Sequence, residues 1–151
     1  MLPRSSERVA KVIKLANQIA RELDREYVGT EHVLLAILRE GTGVGAAVLR
    51  GRGVSADRLL AEAEKWIKVQ SEDTWVFGRL PGTPHFKNVI ARAIEQCQQL
   101  GAKEVCTEHI LLALAHEQGS VAQKTLESLG IAFADLREDV RALVGGESAT
   151  G

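Results

Sequence analysis

Thr30-Glu31-His32-Val33-Leu34-Leu35-Ala36-Ile37-Leu38 is the stretch that decides the fold, because the chain carries it twice. It returns as Thr107-Glu108-His109-Ile110-Leu111-Leu112-Ala113-Leu114-Ala115, displaced by 77 residues. Six consecutive apolar positions without alternation, opened by a threonine and an acid, predict a helix buried on nearly all sides. Each copy is expected at the centre of its own half of the molecule.

The same displacement extends outward from this stretch and aligns residues 8–67 with 85–144 without a gap. Val12 meets Val89, Ala16 meets Ala93, Leu23 meets Leu100, Val28 meets Val105, Glu40 meets Glu117, Leu49 meets Leu126 and Gly53 meets Gly130. A duplication of this kind predicts two similar halves packed about an approximate twofold axis. The reading divides the chain into repeat one (5–67), a linker (68–82), repeat two (83–145) and a small-residue tail (146–151) expected to be disordered.

Four helices follow in each half. The first starts after Ser6, with Val9, Val12, Ile13, Ala16, Ile19, Ala20 and Leu23 on one face. Its counterpart starts after Thr83, with Pro84 at the first helical position, where a missing N–H costs nothing. Ser6 and Thr83 are equivalent N-caps. The second helix opens at Thr30 or Thr107, whose hydroxyl is expected to accept an orphan N–H of its own first turn, with Glu31 or Glu108 complementing the positive helix end. The third is short, and Gly53 or Gly130 ends it in a left-handed cap. The fourth carries Leu59, Leu60, Ala63, Trp66 and Ile67, or Phe133, Leu136, Val140, Leu143 and Val144. No alternating strand pattern is present, so the expected class is all-α, two four-helix repeats related by a pseudo-twofold.

With 45% hydrophobic and 26% charged residues, 151 residues suffice for one globular core. A net charge of -1 supplies no field for a nucleic-acid or membrane partner, and no apolar run approaches the roughly 20 residues of a membrane span. Cys97 and Cys106 lack CxxC spacing and no secretory leader opens the chain, so reduced thiols and a cytoplasmic location are expected. Cys97 falls on an apolar helix face, where an inert thiol is expected; only Cys106 is placed for exposure. His32, His85, His109 and His116 lack metal-ligand spacing, and a capping or core hydrogen-bonding role is expected for His32 and His109. The Gly41-Thr42-Gly43-Val44-Gly45 run reads as a helix-connecting turn rather than a nucleotide loop. Trp75, Val76 and Phe77 in the linker either tether it to the repeats or form an exposed docking patch.

The paired Tyr27-Val28-Gly29-Thr30-Glu31-His32-Val33-Leu34-Leu35-Ala36 and Thr107-Glu108-His109-Ile110-Leu111-Leu112-Ala113 modules resemble the double Clp N-terminal repeat, closest to the ClpC type, across residues 3–145. Thr83-Pro84 at the start of the second half resembles it too. The resemblance implies a non-catalytic module of an AAA+ unfoldase, in cis or in trans, that docks protein substrates or adaptors. It implies no cofactor, and the chain has no G-x-x-x-x-G-K-[ST] phosphate loop. It also implies phosphoarginine sites, one per repeat, with matching residues Ser6, Arg8 and Glu31 in the first and Thr83 and Glu108 in the second. A helix start offers N–H groups to phosphate and a carboxylate can pair with guanidinium. His85 departs from the pattern, since it aligns with Arg8 and removes a permanent cation. The alternative for Glu31 and Glu108 is dipole complementation alone, worth about 0.3–1 kcal/mol at an exposed end. A stand-alone regulator competing for adaptors, a small all-α nucleic-acid binder, and a cysteine hydrolase are the remaining readings.

Overall fold

The computed structural model describes residues 4–67 and 83–146. Trp75, Val76 and Phe77 lie outside the described residues. Eight helices fill the described chain: α1 (Glu7–Glu22), α2 (Thr30–Glu40), α3 (Val44–Gly51), α4 (Ala56–Ile67), α5 (Pro84–Gln99), α6 (Thr107–His116), α7 (Val121–Ser128) and α8 (Phe133–Gly146). The all-α expectation holds, with one addition. Two-residue strands β1 (Arg4–Ser5) and β2 (Glu104–Val105) pair in parallel, too short to leave an alternating signature in the sequence. Helix α8 also runs to Gly146, one residue into the stretch assigned to the tail.

Helices α2 and α6 form the centre. Every residue from Thr30 to Ile37 is buried, and so are Thr107 and His109 to Ala115. Around them α1 and α5 bury Val9, Val12, Ala16, Ile19 and Ala20, and Val89, Ala93 and Cys97, and turn their polar faces outward. Ser6 and Thr83 cap as expected, their hydroxyl oxygens accepting from Val9 N and Phe86 N at 3.1 Å each. Gly53 and Gly130 take φ values of 77° and 80°, the left-handed region where a Cβ is penalised.

The third helices tie the two halves together. Helix α3 packs on α6 and α8, and α7 packs on α2 and α4, so each short helix leans on the long helices of the other repeat. Hydrogen bonds follow the same crossing. Thr107 Oγ1 accepts from Gly45 N, and Thr30 Oγ1 accepts from Ala122 N, both at 3.1 Å. These threonines therefore cap the third helix of the opposite repeat, not their own first turn. The reason is local: each is the first residue of its helix, preceded by Gly29 or Cys106 at the N-cap, and its hydroxyl points at the neighbouring helix start. A bond and its mirror, each displaced by 77 residues and running in the opposite sense, are what a twofold relation requires.

The vacated cap of α2 and α6 is filled by histidine. His32 Nδ1 accepts from Gly29 N at 2.9 Å and His109 Nδ1 accepts from Cys106 N at 2.8 Å, the reach-back half of a capping box. This bears out the capping role expected for both. Accepting at Nδ1 fixes the proton on Nε2. Burial holds His32 at about 4, with the charge of Arg25 assisting, and burial alone holds His109 at about 4.

Candidate functional site

The starts of four helices meet in two places. Ser6 N donates to Val105 O at 2.9 Å, which joins the entrance of α1 to the segment that leads into α6. Its mirror, Thr83 N donating to Val28 O at 3.1 Å, joins the entrance of α5 to the segment leading into α2. The five residues singled out from the sequence are thus regrouped. Ser6 and Arg8 stand at the entrance that carries Glu108, and Thr83 stands at the one that carries Glu31. Sequence alignment assigns residues to repeats; the backbone bonds from Ser6 and Thr83 join each entrance to a segment of the other repeat.

At the first entrance the half-exposed Arg8 packs its methylenes beside Gly43 and donates from Nε to Thr42 Oγ1 at 2.8 Å. Glu40 Oε1 lies 3.9 Å from the same Nε and also accepts from Thr42 N, so the α2–α3 turn is tied down from three sides. The Gly41–Gly45 run is the helix-connecting turn expected of it, with Gly41 ending α2 at φ 78° and Gly43 capping α3. Glu108 is half-buried.

At the second entrance His85 takes the place of Arg8 and its Nδ1 lies 2.8 Å from Glu117 Oε2. Glu117 is 4% exposed and also accepts from Asn88 Nδ2 at 2.8 Å and Arg92 Nε at 2.9 Å. Burial opposes its ionisation, yet the hydrogen bonds from His85, Asn88 and Arg92 hold its carboxyl below the usual range. Glu31 is only 3% exposed; its carboxylate folds over Gly29, and Oε2 accepts from Tyr27 OH at 3.4 Å. It therefore does not sit at an exposed helix end, and the two equivalent acids differ in access. Thr30, Thr107 and Glu117 were not marked as interaction residues from sequence. Each is identical to its counterpart in the other repeat or pairs with Glu40, which was the available signal.

The thiols are poorly suited to nucleophilic chemistry. Cys97 is buried, and burial followed by the charges of Glu108 and Glu104 pushes its thiol up. The same causes, burial first, push Cys106 up to about 11. A thiolate is needed for attack, and His109 spends its Nδ1 on the Cys106 backbone.

The Clp repeat N-terminal domain family model matches residues 4–129 and 83–148. The chain belongs to that family. Among curated Clp proteins it is similar to the chloroplastic chaperone ClpC1 of Arabidopsis thaliana, 39% identical over 145 residues, covering 96% of this chain and 15% of that protein. It is equally similar to the ClpA homolog, an ATP-dependent Clp protease ATP-binding subunit, of Guillardia theta, 39% identical over 145 residues, with 96% and 18% covered. This Clp domain thus spans under a fifth of the length of those relatives. Its fold is that of the N-terminal domain of ClpD from Arabidopsis thaliana, with a TM-score of 0.73 at 23% identity over 95% of this chain and 96% of that one. The Hsp104 N-terminal domain from Candida albicans also matches with a TM-score of 0.73, at 17% identity over 94% and 92%. Among the described residues no single helix is long and apolar enough to cross a membrane.

Proposed function

We propose that this Clp domain docks protein substrates or adaptors for a Clp-type ATP-dependent unfoldase, and that it performs no chemistry of its own. The observation that carries the reading is the pairing of helix entrances. The Ser6 N–Val105 O bond joins the entrance that carries the Ser6 cap and Arg8 to the one that leads to the half-buried Glu108, a grouping that supports a site with backbone N–H groups and positive charge for an anion and a carboxylate for a cation. Phosphoarginine has both charges in one side chain and fits that pattern. The Ser6–Arg8–Glu108 entrance is the stronger of the two. At the Thr83–Glu31 entrance His85 is held by Glu117, and Glu31 has to leave Gly29 before it can meet a ligand.

Titration of a phosphoarginine peptide by calorimetry tests this. Glu108→Ala is expected to weaken binding by about tenfold or more, the scale of one lost charge-assisted hydrogen bond, and Glu31→Ala by less. Equal affinity for wild type and Glu108→Ala, with circular dichroism unchanged, overturns the assignment.

A further inference from the structure

A concave surface of about 200 Å³ opens between α5 and α8, lined by Arg92, Gln96, Gln99, His116, Phe133 and Arg137, with the carboxylate of Glu95 also on its wall. Three features set it apart from an ordinary solvated face. Arg92 is held in place, donating from Nε to the buried Glu117 and from Nη1 to His116 Nδ1 at 2.8 Å, and its Nη2 stays uncommitted among the described residues. Because a guanidinium only donates, His116 accepts at Nδ1 and keeps its proton on Nε2, so the imidazole adds a donor. Its ring is steadied edge-on by Phe133, 5.0 Å between centroids. Arg137 is exposed and has no ion-pair partner among the described residues.

Repeat one supplies an internal control, since the same positions there hold quite different residues. Leu15 and Leu60 stand where repeat two has Arg92 and Arg137, and both pack on the core. Glu22 stands where repeat two has Gln99, and it neutralises Arg39, the counterpart of His116, at 3.1 Å. Repeat two has thus exchanged two aliphatic side chains for cations and one arginine for a histidine, and its acid has moved along the helix, since Glu22 becomes Gln99 while Gln18 becomes Glu95. Packing does not require the change, because the aliphatic version folds in repeat one.

We propose that this concavity is a second docking point, one that takes an oxyanion carried on a polypeptide: a phosphorylated side chain or the carboxylate of an acidic segment. The guanidinium forks of Arg92 and Arg137 suit a planar or tetrahedral oxyanion, and Gln96 and Gln99 offer amide donors. The proposal does not depend on the helix entrances, and the experiment separates the two.

The side-chain N–H resonances of arginine and glutamine are followed in the full chain during titration with inorganic phosphate and, separately, with a blocked oligoglutamate peptide. Shifts at Arg92, Arg137, Gln96 and Gln99 that weaken by about tenfold in Arg137→Gln support the site. A response to phosphate alone assigns a phosphorylated side chain, and a response to the peptide alone assigns an acidic segment. Arg137 lies on the exposed face of α8, so its loss leaves the fold intact. No shift at these four residues with either probe overturns the proposal. So does a response that survives Arg137→Gln but is lost in Arg8→Gln, which places the anion at the helix entrance.

Discussion

Acidification should destabilise this domain well before its carboxylates are protonated, and the two capping histidines set the size of the effect. His32 is fully buried and His109 is 2% exposed, each accepts a backbone N–H at Nδ1, and both are held at about 4 in the folded state. In the unfolded chain a histidine titrates near 6.5, so between these values the unfolded state binds more protons than the folded one. The sign follows directly: stability is fully present above the unfolded value and drains away as pH falls from about 6.5 towards about 4. At 1.36 kcal/mol per pH unit, lowering pH from about 7.5 to 5.5 removes about 1.3 kcal/mol per histidine and about 2.6 kcal/mol for the pair. Urea unfolding followed by circular dichroism at the two pH values measures the loss. The control is the double variant His32→Gln/His109→Gln, because a glutamine at this helix position keeps an acceptor for the cap and cannot titrate. His85 and His116 remain in both proteins, so their contributions cancel in the difference. The variant is expected to lose about 2.6 kcal/mol less than wild type over the same interval. Equal losses in the two proteins refute the reasoning.

The crossed threonine caps give a second expectation: Thr30→Val and Thr107→Val each strand a buried N–H and should cost about 1–3 kcal/mol in chemical denaturation. The twofold relation makes the two costs similar and nearly additive, and a cost below about 0.5 kcal/mol at either site contradicts the cap. Among the glycines, Gly43→Ala should destabilise by about 1–3 kcal/mol because a Cβ there meets Thr107 and Arg8. Gly51→Ala meets nothing and should be neutral or stabilise by up to about 1 kcal/mol in the same assay. Leu112→Ala, in the fully buried centre of α6, should cost about 2–5 kcal/mol, and a loss under 1 kcal/mol contradicts its central position.

Much of the candidate site was legible residue by residue but not as an arrangement. Ser6 and Thr83 read as caps because a hydroxyl before an apolar helical face has one chief local use, and the structure shows that use. Thr30 and Thr107 carry the same local signal, yet their hydroxyls serve a helix 92 or 62 residues away. Glu31 and Glu108 sit in the same Thr-Glu-His triplet and are unequal in access, since one folds over a glycine and the other has a cysteine at that position. The concavity of Arg92 and Arg137 left no motif at all. Its residues come from α5, α6 and α8 and meet only when those helices are packed.

The sequence by itself determined the duplication, the class, the helix starts and which faces are buried, because these depend on neighbours three or four residues apart and on a repeat that survives in the text of the chain. Only the tertiary structure decided which entrance faces which acid and which helix each threonine caps. A polar group finds its partner by proximity in space. In a molecule whose third helices and leading strands cross between the halves, that partner belongs to the other repeat.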